Sequence, residues 1–568
     1  MKQIIYVTES LHENDFKKSL NKSFHLQKTH LKLFFQKFLN SKYANITSTE
    51  LQSSNQITNF QIHAEGFHDI NEQDEIQFGK SIESFVNLNH LQIAAGDQIT
   101  VNFMIGVLLG LKKLHKLESF NLYLLNIKNF NNQIYSDILG CFKTIQHLKS
   151  LKFFLRRTSD WSHSIQLGEE IKHLQQLKKL YLSFPQNNLN NLALQSLSSG
   201  ISKLKNLESL NMNLDENDIS PDSIYYFGIS LQPLKKLNKL YLRYNKAKIG
   251  DYGCEGLAKG LINLENLKKL RIKIGSKNNI SDLGITHLNQ SLKIMENITK
   301  FSFFIQGNQQ ISSKTLQQLA DSLNKMVKLQ VLRLEIEIFD DSNNKENQIS
   351  QFNNNQNNQN IKELFKSFEY LEQLQQFNIR LYDIYLKQTS LEQLSLSIQK
   401  FSKLQMMEIV FYKVQIKQNA LLKFSESLKY LVNLQKLNLI FEECKSEKQN
   451  IFQPLFSNLN CLKQLLSLEL NLGQNRLNSN ELMQLFKSLQ NLKYLQSLFL
   501  DLKFDFQIEQ HLLKQIVNYF KSMDRLLSLE LYFELQNYNL EYTDKLQNII
   551  NRIFTKPKRL VLCDISIV

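Results

Sequence analysis

A leucine-spaced unit, L-x-x-L-x-L-x-[LFI], returns along most of this chain and limits what it can fold into. Its first position falls at Ile57, Leu88 and Leu117 and recurs, sixteen times in all, as far as Leu526. Successive spacings are 29–31 residues, except for 45 residues between Leu329 and Leu374. Leu560-Val561-Leu562 stands where the next register places a final strand. A fixed period of this length is the signature of a solenoid, in which each unit packs only on its neighbours. The expectation is therefore an α/β horseshoe of about 17 repeats, with a parallel concave sheet and convex helices.

Within one repeat the roles follow from periodicity. From Leu237, the residues Leu240, Leu242 and Tyr244 share the inward face of a strand, and Lys239, Tyr241 and Arg243 share the outward one. Asn245 then stands at the turn. Leu257, Leu261 and Leu264 recur at helical spacing, with Asp251 expected to cap that helix. One strand and one helix cannot bury their own apolar faces, so the units must stack.

Leu240-x-Leu242-x-x-Asn245, the segment from Ile249-Gly250-Asp251 to Leu261, and Ile280-Ser281-Asp282-Leu283-Gly284 through Leu292 resemble ribonuclease-inhibitor-like leucine-rich repeats. The resemblance covers residues 57–568 and is generic in function. It implies a binding scaffold, a class that includes enzyme inhibitors, GTPase activators and ubiquitin-ligase adaptors. Other repeats, such as Leu180-Tyr181-Leu182-Ser183-Phe184-Pro185, keep the leucines and lose the Asn and Gly.

Residues 1–56 stand partly outside the pattern and are expected to form an N-terminal cap, with Leu31-Lys32-Leu33-Phe34 as a degenerate first repeat. Residues 57–568 are expected to form a single solenoid. The 45-residue repeat owes its length to the tract 340–360, which includes Asn353-Asn354-Asn355-Gln356-Asn357-Asn358-Gln359-Asn360. So polar a tract is expected to be a disordered loop, because it buries too little apolar area to offset its ordering entropy. At the other end, Asp564–Val568 either folds back as a cap or offers an edge strand to a partner or a homodimer mate.

No phosphate loop, kinase signature, G-x-S-x-G or H-E-x-x-H occurs. The glycines of Gly250-x-x-Gly253-x-x-Gly256 open a repeat helix instead of cradling a nucleotide. His63 and His90 face outward in different columns, without ligand partners at metal-binding spacing. The reading is a chain that is not an enzyme and needs no cofactor. Five scattered cysteines, with no C-x-x-C, read as buried small apolar residues of a reducing compartment. Neither a signal peptide nor a membrane span is evident, so an intracellular location is expected, cytoplasmic with the nucleus as alternative.

The outward positions, third, fifth and seventh in each repeat, carry a charge gradient. Between the strands at Leu177 and Leu374 they hold Lys179, Lys239, Arg243, Lys269, Arg271, Lys273, Lys300, Arg333 and Arg380, against Glu335. From Leu404 onward they hold Glu408, Glu469, Asp501 and Glu530, against Lys436. Tyr123, Phe154, Tyr181, Tyr241 and Phe304 share the face. The expected partner-binding residues are Lys179, Tyr181, Lys239, Tyr241, Arg243, Lys269, Arg271, Lys273, Lys300, Phe304 and Arg333. A basic wall with aromatics suits an acidic protein surface. The net charge of +15 also suits nucleic acid, with RNA the alternative partner.

Overall fold

In the computed structural model, the strand of every one of the sixteen repeats begins at its third position: Asn59 follows Ile57, Lys239 follows Leu237 and Ser528 follows Leu526. The structure describes residues 2–7, 12–25, 29–35, 40–51, 56–66, 70–98, 100–125, 132–156, 164–308, 311–337, 349–382, 386, 388–412, 418–442, 450–504, 515–516, 518–519, 523, 525–535 and 562–567. The chain divides into two compact units, Met1–Ile280 and Ser281–Val568, so the single block expected over 57–568 is shared between them.

The first unit contains ten described strands: Lys2–Val7, His30–Phe35, Asn59–Gly66, His90–Gln98, Ser119–Leu125, Ser150–Arg156, Lys179–Ser183, Ser209–Asn213, Lys239–Tyr244 and Lys269–Ile274. Each pairs in parallel with the next. The second unit contains nine, from Lys300–Ile305 to Leu562–Ile567, paired in the same way. Parallel neighbours need a crossover, and a helix supplies it. Gly250–Leu261, between the strands Lys239–Tyr244 and Lys269–Ile274, is typical. Each unit is a leucine-rich-repeat solenoid.

The core follows the leucine code. Leu237, Leu240, Leu242 and Tyr244 are buried, as are Leu257, Leu261 and Leu264 from the helix side. The backbone carbonyl of the second repeat position holds successive units in register. That of Asn238, for example, accepts from both Lys268 N at 2.9 Å and Lys269 N at 3.0 Å. On the helix side the backbones approach closely at glycines. A Cβ on Gly228 would lie 2.2 Å from the backbone of Gly256, and one on Gly200 would lie 2.2 Å from the carbonyl of Gly168.

Four expectations need correction. Residues 1–56, expected to include one degenerate repeat at Leu31–Phe34, hold two strand–helix pairs: Lys2–Val7 with Glu13–His25, and His30–Phe35, the expected strand, with Ser41–Leu51. They escape the leucine pattern because Gln3 stands at the fourth position of the first, and Lys28 at the first position of the second. The tract expected as a loop over 340–360 is helical from Ile349 to Ser367, whereas residues 338–348 lie outside the described residues. Buried Ile361, Leu364 and Phe365 anchor that helix. Asn360 Nδ2 donates to Ser313 Oγ at 2.9 Å, and Ser390 Oγ donates to the Asn358 carbonyl at 3.0 Å. These bonds satisfy the polar tract where it meets the core.

The third correction concerns the turn. The structural asparagine lies two to three residues beyond the expected place, at Asn187, Asn217, Asn278 and Asn475. Asn217 Nδ2 donates to the carbonyls of Phe184, Leu214 and Asp215, and its Oδ1 accepts from Asn187 N and Leu189 N. In the repeat that contains Asn245 this slot is filled by buried Ala247, whose N–H donates to Asn278 Oδ1 at 3.0 Å. Asn245 itself accepts from Ser276 Oγ at 3.4 Å. Fourth, Asp251 is not the cap of its helix. Ile249 precedes the first turn with no side-chain cap, and Gly250 starts it at φ +62°, a backbone conformation that favours glycine.

Candidate functional site

The sheet face away from the core is built from the third, fifth and seventh repeat positions, and in the first unit their register is regular. Lys269 pairs with Lys239, Arg271 with Tyr241, and Lys273 with Arg243. Lys239, Tyr241 and Arg243 in turn pair with Ser209, Asn211 and Asn213, and these with Lys179, Tyr181 and Ser183. With strands about 4.8 Å apart, four neighbouring strands carry six cations and two tyrosines. Lys179, Arg243 and Arg271 are exposed, and the other five side chains are half-buried. Among the described residues no carboxylate pairs with Lys179, Lys239 or Lys269.

Arg243 differs from these lysines. Its Nε donates to Oδ2 of Asp215, a carboxylate only 5 % exposed that lies just past the strand Ser209–Asn213. Burial pushes the Asp215 carboxyl up, and Arg243 and then Lys273 pull it partly back. The column rule misses Asp215 because it sits at the ninth repeat position, beyond the strand. A buried acid two residues past a strand end has no periodic signal in the sequence.

Lys300, Phe304 and Arg333 belong to the second unit. Lys300 is exposed, while Phe304 and Arg333 are half-buried. Arg333 Nη2 donates to Gln376 Oε1 at 3.3 Å. The expected change of sign along the face is weakened at its midpoint. Arg380 Nε donates to Glu408 Oε1 at 2.6 Å, and Asn378 Nδ2 donates to Glu408 Oε2 at 3.0 Å. One basic and one acidic member of the gradient therefore neutralise each other. Glu469 is pushed up by burial, with Lys436 opposing.

Nearer the amino end, the same face is aromatic and amide-rich. Phe34 and His63 stack with centroids 4.6 Å apart, and Tyr123 and Phe154 lie 6.2 Å apart. Gln92 Nε2 is 3.0 Å from His63 Nε2. Burial and the nearby Lys32 charge hold the His63 imidazolium below the usual histidine range, and burial with Lys152 and His30 does the same for His90. Among the described residues no group of three His, Cys, Asp or Glu side chains could hold a metal ion, and no helix is long and apolar enough to cross a membrane. Cys141 and Cys254 are buried and free, whereas Cys461 is exposed, against the expectation that the cysteines are all buried. Burial pushes the Cys141 thiol up to about 12.

No protein-family model and no curated protein matches the chain. Among solved structures it is similar to an internalin C2 from Listeria monocytogenes, at 16 % identity and a TM-score of 0.26, over 45 % of this chain and 83 % of that one. It is also similar to the Drosophila Toll–Spatzle complex, at 12 % identity and a TM-score of 0.36, over 89 % of this chain and 56 % of that one. The leucine-rich-repeat fold of each unit rests on its own register and burial.

Proposed function

We propose that the chain is a non-catalytic protein-binding scaffold, and that the basic block on the sheet face of its first unit receives an acidic protein surface. The observation that carries this reading is the register of Lys179, Lys239, Lys269, Arg271 and Lys273 on neighbouring strands, with Asp215 engaged by Arg243. Like charges brought this close raise the local potential and draw an oppositely charged partner. Tyr181 and Tyr241 add amphipathic area of the kind that anchors interfaces. Lys300, Phe304 and Arg333 belong to the same reading as residues of the second unit. We assign the repeats to the ribonuclease-inhibitor-like class, supported by the α-helix opposite the strand, and the chain to an intracellular compartment, supported by free, buried Cys141 and Cys254.

The test is affinity capture from native cell extract with wild type and a Lys179→Glu/Lys239→Glu/Lys269→Glu variant, each with and without nuclease. These lysines form no ion pair among the described residues, so reversal should leave the melting temperature unchanged. Loss of a nuclease-resistant protein from the variant alone supports the proposal. Capture that disappears with nuclease moves the assignment to nucleic acid. A partner retained by the variant removes the basic block from the interface.

A further inference from the structure

Five register-matched residues at the seventh repeat position cross five neighbouring strands of the first unit: Phe34, His63, Ala94, Tyr123 and Phe154. Four are aromatic rings. The alanine leaves one place in the row without a ring.

A ring flanks that place on either side, His63 on one neighbouring strand and Tyr123 on the other. His63 stacks on Phe34, with an interplanar angle of 29°, and Lys32 Nζ lies 4.5 Å from the Phe34 centroid. Tyr123 packs on Phe154, and burial together with the neighbouring Tyr181 holds its phenol protonated above the usual range. His63 and Tyr123 stand two strand spacings apart, about 9.6 Å between backbones. A planar group over Ala94 would stand one strand spacing, about 4.8 Å, from each flanking column, on the scale of the roughly 4.5–7 Å of aromatic pairs. That is close to the 4.6 Å adopted by Phe34 and His63 themselves. Ala94 is half-buried, so its methyl forms a floor that remains open to the sheet face.

The chemistry beside the gap selects the occupant. Gln92 is engaged with His63 at 3.0 Å, and Asn121 Nδ2 donates to Gln92 Oε1 at 3.4 Å. The Asn121 Oδ1 is buried out of reach of solvent. A nucleobase would find its polar edge poorly matched here, whereas the ring of Trp, Tyr or Phe needs only the walls and the floor. Positions three, five and seven of these five strands contain no carboxylate, and their cations are Lys32 and Lys152.

We infer that the gap over Ala94 receives an aromatic side chain of a protein partner, with acidic residues flanking that ring. The acidic flanks rest on the function proposed above; the ring site does not.

The test uses the full-length chain and two acetylated peptides, Glu-Glu-Trp-Glu-Glu and Glu-Glu-Leu-Glu-Glu, observed by saturation-transfer NMR at about 1 mM, a concentration that detects weak binding. The expected result is transfer to the indole protons, with the leucine peptide binding roughly tenfold more weakly. Ala94→Phe fills the gap with the missing ring, so it should keep or raise the melting temperature and weaken the tryptophan peptide by roughly tenfold or more. Ala94→Ser, which leaves the gap open, should bind as wild type does. No transfer in wild type, or equal transfer in Ala94→Phe, overturns the inference. Adding Lys179→Glu/Lys239→Glu/Lys269→Glu separates the two ideas. Ring binding that survives this reversal but not Ala94→Phe keeps the ring site without the basic-face reading. Capture of an extract protein that is lost on charge reversal, beside peptide binding indifferent to Ala94→Phe, does the opposite.

Discussion

Arg243 Nε donates to Oδ2 of Asp215, a buried carboxylate 28 residues earlier, in the preceding repeat. The bond ties the end of one strand to the outward face of the next. It makes Arg243 part of the architecture as much as of the basic face. Charge reversal at Arg243 would set two carboxylates against each other in a desolvated turn, so it is a poor probe of binding.

Arg243→Ala should therefore destabilise the first unit by about 1–3 kcal/mol, the order expected when a charged hydrogen-bond partner is removed from a buried group. The burial-raised carboxyl of Asp215 loses its counter-ion in this variant and rises further. A raised acid contributes stability below its unfolded value, 3.8, and that contribution fades as pH climbs through the folded value. The deficit should thus be largest at neutral pH and shrink towards about pH 4. Urea unfolding of both proteins at the two pH values checks the sign.

Asn217→Ala removes three donated and two accepted bonds from a buried turn. A loss of about 2–4 kcal/mol is expected, against about 0.5 kcal/mol or less for Asn245→Ala, whose side chain is less enclosed. Denaturation midpoints measured side by side give the comparison. Equal effects would show that the ninth position supports the turn as much as the later slot does.

Gly256→Ala would bring a Cβ to 2.2 Å from the Tyr225 backbone, and no flexible side chain is there to yield. It should lower the melting temperature by several degrees, corresponding to roughly 1–3 kcal/mol of overpacking. Gly140→Ala is the control. Nothing lies within 4 Å of its Cβ and its φ is −58°, so the substitution should be neutral or stabilise by about 0.4–1 kcal/mol.

His63 should titrate below 6.5 in a histidine NMR titration, because burial and Lys32 both oppose its charged form. Lys32→Ala should move it back upward. A histidine whose folded value is depressed contributes stability above its unfolded value and loses it as pH falls through the folded one. The region around Phe34 and His63 should accordingly loosen below about pH 6.5. Hydrogen exchange of the Asn59–Gly66 strand across that range would reveal it.

Much of this was legible beforehand. The leucine spacing specifies where each strand starts, which of its residues face inward and which outward, because the two faces of a strand alternate strictly and a solenoid repeats that alternation. Lys239, Tyr241 and Arg243 could be assigned to one face from Leu237 alone, and their register with Lys269, Arg271 and Lys273 followed from the 30-residue step. Of the two amino-terminal units the first was hidden and the second legible only as degenerate, because Gln3 and Lys28 occupy leucine positions, and packing against later repeats fixes those strands instead.

What the periodicity could not supply concerns neighbours that share no phase. Asp215 reaches Arg243 from a turn, Arg380 cancels Glu408 across strands, and Asn360 meets Ser313 in the adjoining repeat. The place over Ala94 exists because the stack sets an alanine in register between His63 and Tyr123. Each of these depends on side-chain direction and on desolvation in the assembled stack. Local pattern carries the strand and its faces, since a one-residue shift would expose the whole core; pairings between turns cost or release energy only once the repeats have met.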